Sequence, residues 1–160
     1  MEITQERMRE LFRYEDGVLF WAIKPSRDTR IGDRAGCVRN DSYVTVRVER
    51  RKYLAHRLIY LMHHGYLPRV IDHIDGDPSN NRIENLRAAT QQQNIRNRGP
   101  QANNKLGIKG VHWCKEAKKF IAKIKANGRH IVLGKFDDPE LAGAAYAQAA
   151  AKHHGEFART

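Results

Sequence analysis

The sequence predicts an α+β protein of two modules. The first is a strand–loop–strand–helix module with flanking elements. The second is a small three-stranded antiparallel sheet packed on one helix. Three observations carry this. Helical periods and β alternations succeed one another along the chain, with no long apolar run. A polar stretch containing Gly99 and Pro100 divides the chain, giving expected modules at 1–98 and 107–160 with a linker at 99–106. Asn127-Gly128 lies between two β-branched runs and is a strong hairpin signal, because both residues accept the positive φ of a type I′ turn.

The elements follow in order. Residues 3–14 predict an amphipathic helix with Ile3, Met8, Leu11 and Phe12 on one face. Val18 to Trp21 reads as a strand that enters a loop with Pro25, Ser26, Asp28 and Gly32. Residues 43–48 alternate as a strand. Residues 54–64 have helical period, with Leu54, Leu58, Leu61 and Met62 on one face and His56, Tyr60 and His63 opposite. Gly65 and Pro68 end that helix. In the second module, strands are expected near 108–114, 119–126 and 129–135. Asp138 then caps a helix whose first turn holds Pro139. Ala142, Ala145, Tyr146, Ala149 and Ala150 form its apolar stripe, small enough to lie close on a sheet.

Composition narrows the function classes. The 160 residues are 41% hydrophobic and 29% charged, a globular balance, and no run is apolar enough to span a membrane. The first twelve residues are charged and lack the apolar core of a secretory signal, so an intracellular protein is expected. Cys37 and Cys114 give neither a disulfide framework nor a CxxC zinc pair. The net charge of +11 points to a polyanionic partner, with nucleic acid the first candidate. Residues 103–135 hold nine basic residues and a single acid, Glu116. They are interleaved with Trp113, Phe120, Ile124 and other sheet formers, so the charge belongs to a folded surface.

Residues 70–97, VIDHIDGDPSNNRIENLRAATQQQNIRN, carry the chemistry. Asp72-His73 ends a short apolar strand, and a loop of Asp, Asn, Pro and Gly follows. Residues 86–89 form a second strand. Thr90 is a good helix N-cap, and Gln93 completes a capping box. Such a hairpin and helix would bring Asp72 and His73 next to Asn94. A carboxylate and an amide oxygen are hard ligands suited to Mg²⁺ or Mn²⁺. An imidazole beside them can take a proton from an attacking water. The sum is a one-metal phosphodiesterase.

With its DH pair, then Asn-Asn-Arg-Ile-Glu-Asn-Leu-Arg, then a helical Asn, the segment resembles the HNH or ββα-metal endonucleases. The nearest branch is the phage and intron-encoded homing group. The resemblance covers about residues 10–98, including His56-Arg57-Leu58 and YEDGVLFW. It implies His73 as general base, Asp72 and Asn94 as metal ligands, and Asn85 as the site residue that braces the loop. It also implies double-stranded DNA as substrate and a phage or bacterial source.

Residues 107–158 resemble the AP2 DNA-binding domain, through Lys109-Gly110-Val111, Leu133-Gly134-Lys135-Phe136 and Ala144-Ala145-Tyr146. The family places the outward face of its sheet in the major groove. Strand alternation independently turns Lys119, Ile121, Lys123 and Lys125 outward, with His112, Cys114, His130 and Val132, while Phe120, Ala122, Ile124, Val111 and Trp113 face the helix. The expected DNA contacts are Lys109, His112, Lys119, Lys123, Lys125, Arg129, His130 and Lys135, with Arg96 and Arg98 near the linker. Lys where the family uses Arg favours backbone affinity over base readout. No heptad repeat suggests dimerisation, so a monomer is expected, with a dimer through a surface patch left open. The rival readings are a non-catalytic DNA-binding regulator on an HNH scaffold and an RNA-binding protein.

Overall fold

The computed structural model describes residues 3–159, which form two compact units, Met1–Thr90 and Gln91–Thr160. The division falls at the start of the helix after the DH hairpin rather than within 99–106, so Asn94 belongs to the second unit.

The first unit opens with α1 (Gln5–Leu11), capped by the Thr4 side chain, which accepts from Arg7 N. The helix expected to reach residue 14 stops at Leu11. Phe12 turns extended and begins β1 (Phe12–Glu15), which pairs with β2 (Val18–Trp21). Two features outweigh the helical period. Asp16 and Gly17 take φ of 45° and 84°, the left-handed pair of a type I′ turn. Phe12 and Trp21 are register partners with ring centroids 4.6 Å apart.

A second sheet has the order β3 (Cys37–Val38), β4 (Val44–Val48), β5 (Arg51–Leu54). Val44, Val46 and Val48 are buried on one face of β4. The sequence reading missed β5, whose turn uses Glu49 and Arg50 at φ 47° and 69° with no glycine. α2 (Ala55–His64) follows directly, and Gly65 at φ 75° ends it with its N–H on Leu61 O. His56 and Tyr60, on the face opposite Leu58 and Leu61, are buried as well, so α2 is a core helix on most sides. Met8, Phe12, Val46, Leu58 and Ile59 form the centre of this unit's core. The last sheet is a hairpin of β6 (Val70–His73) and β7 (Leu86–Ala89).

The second unit begins with α3 (Gln91–Asn97). Its sheet has the order β10 (Arg129–Phe136), β9 (Lys119–Ala126), β8 (Val111–Cys114), antiparallel throughout. The β9–β10 turn is Asn127-Gly128, at φ 49° and 77°. α4 (Pro139–His154) packs on the sheet, with Asp138 accepting from Glu140 N at its start. Ala142, Tyr146 and Ala150 are buried against Val111, Ala122 and Ile124. Among the described residues no helix is long and apolar enough to cross a membrane.

Candidate active site

The β6–β7 register sets Asp72 opposite Arg87 and His73 opposite Leu86. Cross-strand partners share a face, so Arg87 reaches Asp72 directly. Its Nε donates to Asp72 Oδ2 at 2.9 Å, and Nη2 makes an ion-pair contact with the same oxygen, also at 2.9 Å. Asp72 is only 3% exposed, and a carboxylate this deep requires such a partner.

His73 is also buried, and its Nε2 lies 3.0 Å from Asn81 Oδ1. An amide oxygen only accepts, so Nε2 carries the proton. In the neutral ring the lone pair is then on Nδ1. The ring sits among aromatics: His56 is 5.0 Å away edge-on, and Tyr43 is 6.0 Å away. Burial pushes His56 down from its ordinary 6.5 to about 3, and the neighbouring His73 and Arg57 push it the same way. His56 is therefore an uncharged wall for His73.

That shift has a consequence for stability. Between pH 6.5 and about 3 the unfolded chain takes up a proton on His56 that the folded chain refuses. Stability therefore falls as the pH drops through this window, by at most about 1.4 kcal/mol per pH unit. In His56→Phe this slope should be absent. Urea melts of both proteins at several pH values check it, and parallel acid destabilisation of the two would sink the assignment.

The loop between the strands is braced from within. Asn85 Oδ1 accepts from Asp75 N at 3.0 Å, and Asn85 Nδ2 donates to Asp75 Oδ1 at 2.9 Å and to Asn80 O at 2.8 Å. Burial alone would raise the Asp75 carboxyl. Hydrogen bonds from Asp77 N, Asn85 and Asn80 outweigh that and hold it below the usual range. The β1–β2 hairpin buttresses the loop from outside. Tyr14 Oη accepts from Ile83 N at 2.9 Å, and a Cβ on Gly17 would stand 2.8 Å from Arg82 N. Sequence reasoning missed Asn81, since nothing separates it from its neighbour Asn80 except burial.

The structure thus brings Asp72, His73 and Asn85 together in one unit. Asn94, half-buried on α3, lies in the other. The residues expected to touch DNA fall into distinct places within the second unit. Strand register sets His112, Lys119, Lys123, Lys125, His130 and Lys135 on the outward face with Ile121. Lys119 is paired there with Asp137, 2.8 Å away. Arg129, opposite Ala126, takes the helix-side parity of Ile131. Lys109 is half-buried and donates to the Arg96 carbonyl; burial, then Arg159, lowers its pKa. Arg98 is exposed just beyond α3. Trp113 has the helix-side register of Phe120, but it lies on edge strand β8 and is 47% exposed.

Among the described residues no three His, Cys, Asp or Glu side chains converge to cage a metal. Within the first unit the hard donor at the hairpin is the buried Asp72 carboxylate, whose oxygen chemistry fits a hydrated Mg²⁺ or Mn²⁺ and does not fit tightly held zinc.

Comparison with known proteins gives a domain match and viral relatives. Residues 53–96 match the HNH endonuclease family. The chain is 34% identical over 97 residues to Protein 3.8 of Escherichia phage T7, covering 59% of this chain and 79% of that protein. The chain belongs to the family of Protein 3.8. It carries an HNH endonuclease domain in which His56, Asp72, His73, Asn81, Asn85 and Asn94 all fall. An uncharacterized HNH endonuclease of Acanthamoeba polyphaga mimivirus is 36% identical over 110 residues, 67% of this chain and 56% of that protein. No solved structure gives a significant match. Protein 3.8 and the mimivirus enzyme are both viral proteins, and the nuclease description comes from the domain and from the mimivirus relative.

Proposed function

We propose that the chain is a metal-dependent endonuclease that hydrolyses phosphodiester bonds in double-stranded DNA. The observation that carries it is the buried His73–Asn81 hydrogen bond, 3.0 Å long, next to the buried Asp72. It sets the tautomer that a general base needs. His73 Nδ1 takes a proton from water, the water oxygen bonds to phosphorus, and the bond to the 3′ oxygen breaks. Asn81 holds the imidazole in register, Asn85 holds the loop, and the β1–β2 hairpin holds both. Asp72 and Asn94 would hold Mg²⁺ or Mn²⁺, which when bound supplies charge stabilisation at the phosphate and the leaving oxygen.

The second unit, read as an AP2-like module, positions the duplex. Its outward face carries Lys123, Lys125 and His130 with no acid among the strand residues of that face. Phosphate contacts by such a surface release counterions and make affinity salt-dependent. Lys123→Glu with Lys125→Glu should weaken duplex binding and lower the salt slope by about one per lost phosphate contact. A salt titration of affinity checks this. Unchanged affinity would show that another surface meets the DNA.

A specific observation favours a second reading, a DNA-binding regulator without catalysis. Arg87 already engages the Asp72 oxygen that a metal would seek. A plasmid-nicking assay with Mg²⁺, with Mn²⁺ and with EDTA decides between them. Cleavage that needs the ion supports the nuclease. Binding without cleavage in either ion supports the regulator.

A further inference from the structure

The second unit contains a cavity of about 250 Å³ lined by Ile95 and Arg96 of α3, Lys109, Lys125, and Tyr146 and His154 of α4, among others. No acidic side chain lines it. His154 is 9% exposed. Its Nε2 donates to Lys125 O at 3.0 Å, and its buried Nδ1 has no partner. A buried polar atom without a partner is rare and calls for a reason.

The chemistry of the lining defines what would complete it. Arg96 and Lys109 stand together, and Lys109 is half-buried with one of its three ammonium donors on the Arg96 carbonyl. Two cations in a lining that holds no acid favour an anion. His154 is held below its ordinary value by burial first, then by Arg96, Lys109 and His153, against the Lys125 carbonyl, which raises it. With the ring neutral and Nε2 donating, Nδ1 is an acceptor and asks for an O–H or N–H donor. Inorganic phosphate supplies the anion alone. Ile95, half exposed, and the Tyr146 ring add an apolar wall suited to a flat ring.

We propose that this cavity binds a nucleoside monophosphate, its phosphate toward Arg96 and Lys109 and a hydroxyl or amino group on His154 Nδ1. The volume lies just under the usual range of small-molecule sites, about 300–1,000 Å³, which suits one nucleotide and no duplex. The nucleotide is either free or the 5′-phosphorylated end of a strand, since both present the same groups. The site is independent of the nuclease reading and is tested without cleavage.

The experiment is an NMR titration of the full-length protein in EDTA with dAMP, inorganic phosphate, deoxyadenosine and a 5′-phosphorylated tetranucleotide. Saturable dAMP binding should move the amide signals of Ile95, Gly128 and His154. Phosphate and deoxyadenosine alone should each bind at least about ten-fold more weakly, and His154→Phe should weaken dAMP by about ten-fold, the loss of one hydrogen bond. Tighter binding of the tetranucleotide identifies a strand end, and equal or weaker binding a free nucleotide; both support the site. Three results overturn it: no saturation by about 10 mM dAMP, shifts confined to His112, Lys123 and His130, or phosphate as tight as dAMP. Should His154→Phe fail to fold, the shift map of the unaltered protein still decides.

Discussion

His73→Ala is expected to lose roughly two to four orders of magnitude in the rate of DNA cleavage, the range for removing a general base. Three features of the site support so large an effect. The imidazole is buried, so water cannot easily substitute for it from a different position. Its tautomer is set by Asn81, so the basic nitrogen is defined rather than averaged. It lies next in sequence to Asp72, so base and charge are supplied by one strand. Asn81→Leu should show a smaller loss, because it frees the ring without removing it. DNA binding should persist in both variants, since the net charge of +11 is spread over the whole chain. Single-turnover cleavage beside a binding titration measures this. Near-normal cleavage by His73→Ala removes it as the base, and lost binding in step with lost cleavage reassigns it to DNA contact.

The parts of the fold that were legible have signals confined to a few neighbouring residues. Asn127-Gly128 has the turn its chemistry demands, and Gly65 ends its helix in the left-handed conformation. Asp138 and Pro139 start α4 as their capping chemistry predicts. The misreadings arise where tertiary contacts compete with a local period. Residues 12–15 continue a helical stripe, but the Phe12–Trp21 pairing and the Asp16-Gly17 turn draw them into a strand. Glu49 and Arg50 make a left-handed turn without a glycine or an asparagine, so no residue type announces β5. Alternation did give the outward face of the second sheet, but it did not foresee Ile121 buried there between register partners His112 and Lys135.

The site was legible in type more than in partners. Carboxylate, imidazole and amide could be read from the order of residues 72, 73 and 85, and the hydrogen bonds of Asn85 do hold the loop. Asn81, His56 and Arg87 could not be read that way. Asn81 and His56 act by burial and Arg87 by its pairing with Asp72 across the hairpin, and a lone Asn, His or Arg looks the same whether solvated or enclosed. Lys109 shows the same limit. It belongs to the basic stretch 103–135, yet it is half-buried and donates to the Arg96 carbonyl of α3, while Gly110, which follows it, sits against the Tyr146 ring.

Gly110→Ala should accordingly unfold the second unit or leave it barely stable. A Cβ at Gly110 would lie 2.1 and 2.3 Å from Tyr146 Cδ2 and Cε2, and 2.7 Å from Lys123 O. Neither contact can yield easily. The Tyr146 ring is buried against Ile124 and Ala150, and the Lys123 peptide is tied to Gly110 O by a 2.8 Å hydrogen bond. Gly110 also has φ of 74°, where a side chain costs about 1 kcal/mol before any contact is counted. Overpacking adds about 1–3 kcal/mol. A unit spanning residues 91–160 has a total stability of about 4–10 kcal/mol, so the loss is a large share of it. Gly128→Ala is the control. Its φ is 77°, but nothing lies within 4 Å of the new Cβ, so only the conformational cost of about 1 kcal/mol applies. Amide exchange read separately in α4 and in α2 measures the effect. In Gly110→Ala, protection should collapse in α4 and persist in α2, because the two units have separate cores. If both variants lose the same modest protection, close approach to Tyr146 is not what reserves this position for glycine.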